Sequence, residues 1–511
     1  MAVGILEVVL PIVTLVVFAV LTVPAFRLIR KTGHKTTLTF VWFAIVFAMA
    51  FGAVANLALQ YFSLPSPQPF LNLYLSNPPP SPTSSLSSIS SAFMIDGISI
   101  YMMIIIVSVS AAIMLYTLFY VNPAERPSER YFAIMLVIIA ALIGAVSAGD
   151  LLTLFIFSEA AVAGSTFLML YKKNRQSLNS TLKYIIMIII ASAFVVFGLS
   201  LVYGITGTLN FWAVKTALMA LNDKTLLMVA FAFIVAGYSI EAAIVPFHFW
   251  LPSAYNAAPA SSSAFLSALV DQGSYYVLIR VLIFIVTPTG VLDWRLMLAV
   301  MAAFTMVVGN MFALVQKNIK VLIGTICVAD VGYNLVAMAS IVPGASGVAT
   351  LGLQGNLYFF LIGGITTALA FMTIGIMNHY GFKTLKDFEG VGKKMPLASL
   401  ALLIAALSFA GVPPLGGFFA KYLVFTAAIQ ANFTWLAVIG VFMSVLQTAY
   451  LFRLVNAMYA KKPKNENKIK EPKRLLIPIF ILVGAIIVLG LFPSIVLDVI
   501  QHAVTQFPFV P

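Results

Sequence analysis

The chain has 511 residues, of which 62% are hydrophobic and only 9% charged, and its apolar runs approach the ~20 residues a helix needs to cross ~30 Å of hydrocarbon. That pattern makes it an all-α polytopic membrane protein and excludes a water-soluble fold. The net charge of +13 would point to nucleic acid only if the basic residues gathered on one folded face, and they are dispersed. The single Cys327 allows no internal disulfide and no cysteine cluster for zinc or iron–sulfur chemistry.

In chain order, the hydropathy pattern predicts about 14 transmembrane helices, at about 3–26, 37–62, 97–120, 130–148, 150–171, 182–205, 226–246, 260–285, 296–316, 320–342, 355–378, 398–426, 433–456 and 474–497. The first has no basic residue ahead of its apolar core and no small-residue cleavage site, so it reads as a retained span rather than a signal peptide. Between spans 2 and 3, residues 63–91 are rich in proline and serine and read as a loosely ordered linker with polyproline character. Twenty-four of the 29 Lys and Arg fall in alternate connections, at 27–35, 126–130, 172–183, 317–320, 383–394 and 453–474, while those after spans 2, 4, 10 and 12 carry none. The positive-inside rule then puts the basic loops in the cytoplasm and both termini outside, in a multi-pass arrangement in the cell membrane. The polar loop 461–474 reads as a solvated charge run beside lipid headgroups; the alternative is a docking site for a peripheral subunit.

The functional signal is charge inside apolar runs. Glu159, Glu241, Asp271, Asp330 and Lys421 lie within or beside such runs, and a charge at membrane depth costs on the order of several kcal/mol unless it faces a protein interior or a water-filled cavity. They imply an ion path. Two spans are also interrupted: Pro246 follows Glu241 by five residues, and Pro413 and Pro414 break the segment that leads to Lys421. Unwound backbone is tolerated at depth only where it lines a cavity, so paired breaks predict inverted repeats around a midplane site. The expected units are residues 1–129 (spans 1–3 with the outside loop), 130–285 (a first five-helix repeat), 286–456 (a second, inverted one) and 457–511 (the basic loop and the last span). No Gly-rich phosphate loop and no nucleophile with an adjacent base occurs.

Four segments together resemble a known family: Phe93-Met-Ile-Asp-Gly-Ile-Ser99, Asp150-Leu-Leu-Thr-Leu-Phe-Ile-Phe-Ser-Glu159, Phe247-His-Phe-Trp-Leu-Pro-Ser-Ala-Tyr-Asn-Ala-Ala-Pro259 and Ala410-Gly-Val-Pro-Pro-Leu-Gly-Gly-Phe-Phe-Ala-Lys421. They are similar to the antiporter-like subunits shared by respiratory complex I, multisubunit Na⁺/H⁺ antiporters and membrane-bound nickel–iron hydrogenase or sulfur-reductase relatives. The resemblance implies fourteen helices with two inverted five-helix units, each with a broken helix. It also implies translocation of protons or Na⁺ along a midplane path, coupled to a redox arm in other subunits. Partners would be other membrane subunits, peripheral electron-transfer subunits and lipids. The chain itself would carry no cofactor and no redox centre, so any nickel–iron centre, iron–sulfur clusters or flavin would sit in partner subunits. The alternative is a non-pumping structural subunit of the same kind of complex; an autonomous solute transporter is the weaker third reading.

Carried over residue by residue, the family's path falls on Glu159, on His248 just after the first break, and on Lys421. The family's span-7 lysine is Glu241 here, its span-8 lysine is Gln272 preceded by Asp271, and its span-10 histidine is Asp330. The span-11 histidine and lysine positions read Gly363 and Thr367. A Glu/Lys pair favours two ionised groups, whereas two carboxylates side by side away from water share a proton or recruit a cation. Glu159 and Glu241 are therefore expected to hold a proton or Na⁺ if they meet. The bland expectations are a carboxylate at Asp271 held near Gly273 and Ser274, a polar contact of Asp330 with Lys320 or a neighbouring helix, and a hydrogen-bonded hinge at His248.

Overall fold

A computed structural model describes residues 5–32, 35–62, 71–74, 92–123, 127–286, 294–342, 346–463 and 469–505. Long runs without charge or glycine–proline pairs wind into helices: α1 (Ile5–Ile29), α2 (Lys35–Phe62), α3 (Gly97–Tyr120), α4 (Ser128–Val146), α5 (Leu151–Met169), α6 (Arg175–Thr206), α7 (Phe211–Met219), α8 (Thr225–Glu241) and α9 (Trp250–Ala257). There follow α10 (Ala260–Phe265), α11 (Asp271–Ile279), α12 (Trp294–Val315), α13 (Ile319–Ala339), α14 (Ser346–His379), α15 (Val391–Lys394), α16 (Pro396–Ala410), α17 (Gly416–Gln430), α18 (Thr434–Tyr459), α19 (Lys473–Leu491) and α20 (Ser494–Thr505). Eleven of the described helices are long and apolar enough to cross a membrane.

Several starts are set by a side-chain cap, which satisfies backbone N–H groups that have no partner in the first turn. Asp96 accepts from Ser99 N at 2.8 Å, Asp150 from Thr153 N at 2.7 Å, Asn174 from Ser177 N at 2.7 Å and Asn318 from Lys320 N at 2.9 Å. The centre of the bundle is α13 and α14, buried along 94% and 89% of their apolar windows. By contrast α2, α6 and α18 are buried along only 33% of theirs, and so form the exposed rim of the bundle.

The structure departs from the expected spans where polar chemistry intervenes. The expected seventh span stops at Glu241 rather than 246, and the chain restarts as the short α9. The twelfth is two helices, α16 and α17, and the fourteenth splits into α19 and α20 around Phe492 and Pro493. The helix α7 was not anticipated; it is capped by Asn210, whose side chain accepts from Trp212 N at 3.1 Å. The expected span 260–285 has mixed winding: π-helical segments Leu266–Val270 and Arg280–Val286 flank α11. Single π-helical turns inside α-helices are frequent at functional sites. Within the supposed linker 63–91, Leu71–Tyr74 (β1) pairs antiparallel with Ala92–Ile95 (β2). The remaining linker residues lie outside the described ones, as do 464–468 of the basic loop.

Candidate ion path

The first part of the site forms where α5, α6, α8 and α11 meet. Glu159 of α5 accepts a hydrogen bond from Ser192 Oγ of α6 at 2.6 Å. Glu241, the last residue of α8, is 3% exposed; its Oε2 accepts from Ser274 Oγ of α11 at 3.3 Å and its Oε1 has no donor. The two carboxyl groups lie close enough to interact, which meets the condition on which a shared proton or cation at Glu159 and Glu241 depends. Two carboxylates brought together away from bulk water repel, which favours a shared proton or a cation between them.

Glu241 owes its place to the break after it. Ala243 adopts φ +52°, and Ile244 N returns to Ser239 O at 2.9 Å, which ends the helix. Trp250 then donates its indole N–H to the Ile240 carbonyl at 2.9 Å, so α9 is pinned across the end of α8. The Val245–Pro246 bond is cis. His248 inside this break is 4% exposed and neither ring nitrogen has a hydrogen-bond partner; the Pro246 carbonyl is near but outside bonding geometry. Its ring packs on Phe249 at 4.3 Å and Phe312 at 5.6 Å. Both aromatic rings are exposed on the bundle surface. The hydrogen-bonded hinge expected of His248 is therefore corrected: it lies beneath lipid-facing aromatics, apart from the acidic pair.

The middle of the row is built on α11 and α13. Asp271, directly after the first π-helical segment, accepts a hydrogen bond from the Tyr255 hydroxyl of α9, and not from the turn at Gly273 and Ser274. A cavity of about 20 Å³ lies among Asp271, Gln272, Asp330, Gly363 and Thr367. A second of about 20 Å³ lies among Asp330, Gly363, Ser408 and Lys421. Each is large enough for one water molecule. Gly363 and Thr367 stand where the family carries a histidine and a lysine, and their small side chains leave the space those long ones would fill. Gln272 points an amide oxygen without a partner into this region. Lys320 does not reach Asp330: its Nζ donates to the carbonyls of Ala258 and Asn256 at the end of α9.

At the far end, Lys421 of α17 is 6% exposed. Its Nζ donates to the Phe409 carbonyl and to Gln447 Oε1, both at 2.7 Å, and sits 4.5 Å over the ring of Tyr333. The Phe409 carbonyl is available because α16 ends at Gly411, φ +76°, before the cis Pro413–Pro414 bond. Gly417 lets α17 lie against α16, since a Cβ there would come within 1.8 Å of the Ser408 carbonyl oxygen. Asp330 senses the charge of Lys421 and the amide of Gln447, yet the lysine's bonds go elsewhere. Gln447, Ser192, Tyr255 and Tyr333 are not evident from the sequence, and Ser274, expected beside Asp271, donates to Glu241 instead. A glutamine within the apolar α18 was the one legible signal among them.

Residues 148–447, which contain every charged group of this row, match the NADH:quinone oxidoreductase/Mrp antiporter transmembrane family. The chain belongs to that family. A NADH-quinone oxidoreductase subunit N from Dehalococcoides mccartyi is 29% identical over 80% of this chain and 86% of its own length. An F(420)H(2) dehydrogenase subunit N from Methanosarcina mazei is 30% identical over 81% of this chain and 85% of its own length. Among solved structures, a chain of the membrane-bound sulfane sulfur reductase, an archaeal respiratory membrane complex, superposes with a TM-score of 0.84 at 26% identity, covering 98% of this chain and 97% of that one. This family member is accordingly a multi-pass membrane protein of the antiporter-like kind. Among its described residues no three His, Cys, Asp or Glu side chains come together as a metal site.

Proposed function

We propose that the chain is an ion-translocating, antiporter-like subunit of a redox-driven membrane complex, moving protons along Glu159, Glu241, Asp271, Gln272, Asp330 and Lys421. The observation that carries this reading is the pair of water-sized cavities between Asp271 and Lys421. Isolated buried charges separated by apolar side chains would have favoured the spacer reading; here each cavity has room for a water that would link neighbouring groups. Pro246, Pro413 and Pro414 supply the breaks that free backbone carbonyls at depth. His248 would serve the basic or lipid-side end of the first break rather than the central row. Na⁺ is the alternative occupant at Glu159 and Glu241, where two carboxylate oxygens face each other.

The breaks after Glu241 and before Lys421 support two inverted units, 130–285 and 286–456, between residues 1–129 and 457–511. Counting the mixed span 260–286, α8 with its break, and α16 with α17 as one span each adds three to the eleven long helices and gives fourteen. With the basic loops in the cytoplasm, both termini lie outside. The relatives are subunits named for NADH-quinone oxidoreductase and F(420)H(2) dehydrogenase, and by analogy the partners here are other membrane subunits and a peripheral electron-transfer arm holding the flavin, iron–sulfur or nickel–iron groups.

The test is reconstitution of the assembled complex in vesicles with a pH-sensitive or Na⁺-sensitive dye inside. Wild type is expected to move ions on turnover, and Lys421→Ala to lose at least about tenfold of that flux while assembly is retained. Equal flux in the variant would make the chain a structural spacer.

A further inference from the structure

Away from the row, a cavity of about 650 Å³ opens at the end of the bundle that carries the basic loops. It is lined by Lys172, Lys320 and Lys383, together with Asn256, Asn378 and His379, and no aspartate or glutamate is among its described lining residues. The lysines come from three separate elements: the end of α5, the start of α13 and the loop after α14. Lys172 lies within electrostatic reach of both Lys320 and Lys383. Three lysines gathered around one cavity, with no carboxylate among its described lining residues, repel one another when charged and raise the free energy of the empty site.

The backbone adds to the same field. The N-terminal turns of α6 and α19 border the cavity at Asn174, Gln176, Pro472 and Leu475, and α13 starts at its wall. Helix N-termini carry partial positive charge. Two carboxylates close in sequence to the lining residues have donors of their own: Glu471 accepts from Ala398 N at 2.8 Å and Leu397 N at 3.2 Å, and Asp387 from Thr384 N at 2.8 Å and its hydroxyl at 2.7 Å. Lys320 is 4% exposed and is held in place by the Asn256 and Ala258 carbonyls. A buried cation braced from behind is a preorganised half-site for an anion, whereas Lys172 and Lys383 are exposed and free to close on it.

We propose that this cavity is a binding site for a phosphate-bearing anion, gripped by Lys172, Lys320 and Lys383. Its size exceeds that of a phosphate group, so a phosphodiester with part of its headgroup fits. Its lysines sit at the ends of membrane-crossing helices, which is the depth of the phosphates of a bilayer, and basic pockets between transmembrane helices bind acidic lipid headgroups. Free phosphate offers the same chemistry. Binding here does not depend on the chain moving ions.

Amine-labelling rates read by mass spectrometry report this site directly, because Lys172 and Lys383 are accessible when it is empty. The assembled complex would be labelled in vesicles of phosphatidylcholine alone, in vesicles containing about one third phosphatidylglycerol, and in phosphatidylcholine vesicles with millimolar inorganic phosphate. Lys31, exposed on another part of the chain, serves as the reference. Labelling of Lys172 and Lys383 is expected to slow about tenfold relative to Lys31. Slowing with phosphatidylglycerol alone identifies a lipid headgroup, and slowing with phosphate alone a free anion. In Lys172→Gln, half-protection of Lys383 should need roughly tenfold more of the effective anion, since each lysine near a phosphate contributes comparable attraction. No slowing in either arm, slowing shared equally by Lys31, or unchanged protection in Lys172→Gln overturns the proposal.

Discussion

Two of the buried couples of opposite charge among the described residues, Arg280 with Asp96 and Lys421 with Asp330, are built in opposite ways. Arg280 and Asp96 are locked together: Nη1 and Nη2 reach the two carboxylate oxygens, at 2.5 Å and 2.6 Å, Nη2 also reaches Ser99 Oγ at 2.9 Å, and Nε reaches the Tyr276 hydroxyl at 2.6 Å. Tyr276 passes the connection to the Val146 carbonyl at 2.6 Å, so α3, α4 and the second π-helical segment are clamped into one block. Lys421 and Asp330 are kept apart, with Gln447 on the lysine and a water-sized cavity between them. A bidentate guanidinium–carboxylate pair is a structural bond with no slack. A lysine shared between a helix-break carbonyl, an amide and an aromatic face keeps a short route to a second partner.

The largest effect should come from breaking the first couple. Arg280→Met leaves Asp96 buried without its cation and is expected to cost about 3–5 kcal/mol, read as a loss of folded complex in thermal unfolding. The double variant Arg280→Met with Asp96→Asn should recover part of that loss, and a double variant as damaged as the single would mean that packing, not charge, carries the cost. Lys421→Met should differ in kind. Asp330 is left beside a cavity where water or a proton satisfies it, so the thermal midpoint is expected to fall by no more than the equivalent of about 1–2 kcal/mol while translocation is lost. Equal destabilisation in the two couples would remove the distinction drawn between them.

Gln447→Leu addresses the separation itself. It takes one of two hydrogen-bond acceptors from Lys421, costs about 1–3 kcal/mol, and is expected to let the ammonium turn toward Asp330. A slower turnover with assembly intact, measured in the same vesicles, is the expected result; wild-type turnover would show that the amide only fills space. The smallest effect concerns the acidic pair. Glu241→Gln should weaken any Na⁺ dependence of turnover, whereas Glu241→Lys should replace the shared proton or cation with an ion pair to Glu159. If wild type and both variants show the same Na⁺ response and the same carboxyl infrared titration, the two glutamates are not coupled.

The legibility of these features followed a physical divide. Glu159, Glu241, Asp271, Asp330 and Lys421 stood out in the sequence because charge in an apolar run is expensive wherever the run ends up. Arg280 carries the same signal, in the run Val277 to Val286, and was passed over because its partner Asp96 lies 184 positions away. Of the two partners the sequence leaves open for Asp330, Lys320 on the same helix α13 is taken up by the end of α9, and groups of neighbouring helices, Lys421 and Gln447, face the carboxylate instead. The small Gly363 and Thr367 read as losses from the family pattern, and only the packing around them turned the losses into cavities.

Composition and periodicity by themselves determined that this chain crosses the membrane many times, where its long apolar helices run and which side chains have no reason to be in lipid. Those properties depend on the transfer of each segment from water to hydrocarbon, which is additive along the chain. The tertiary structure alone decided that Glu159 meets Glu241, that Asp271 answers to Tyr255, that Lys421 is held by Gln447 away from Asp330 and that Arg280 is a clamp. Those are choices among partners distant in sequence, settled by where two helix breaks and two π-helical segments point a handful of side chains, and no local free energy encodes them.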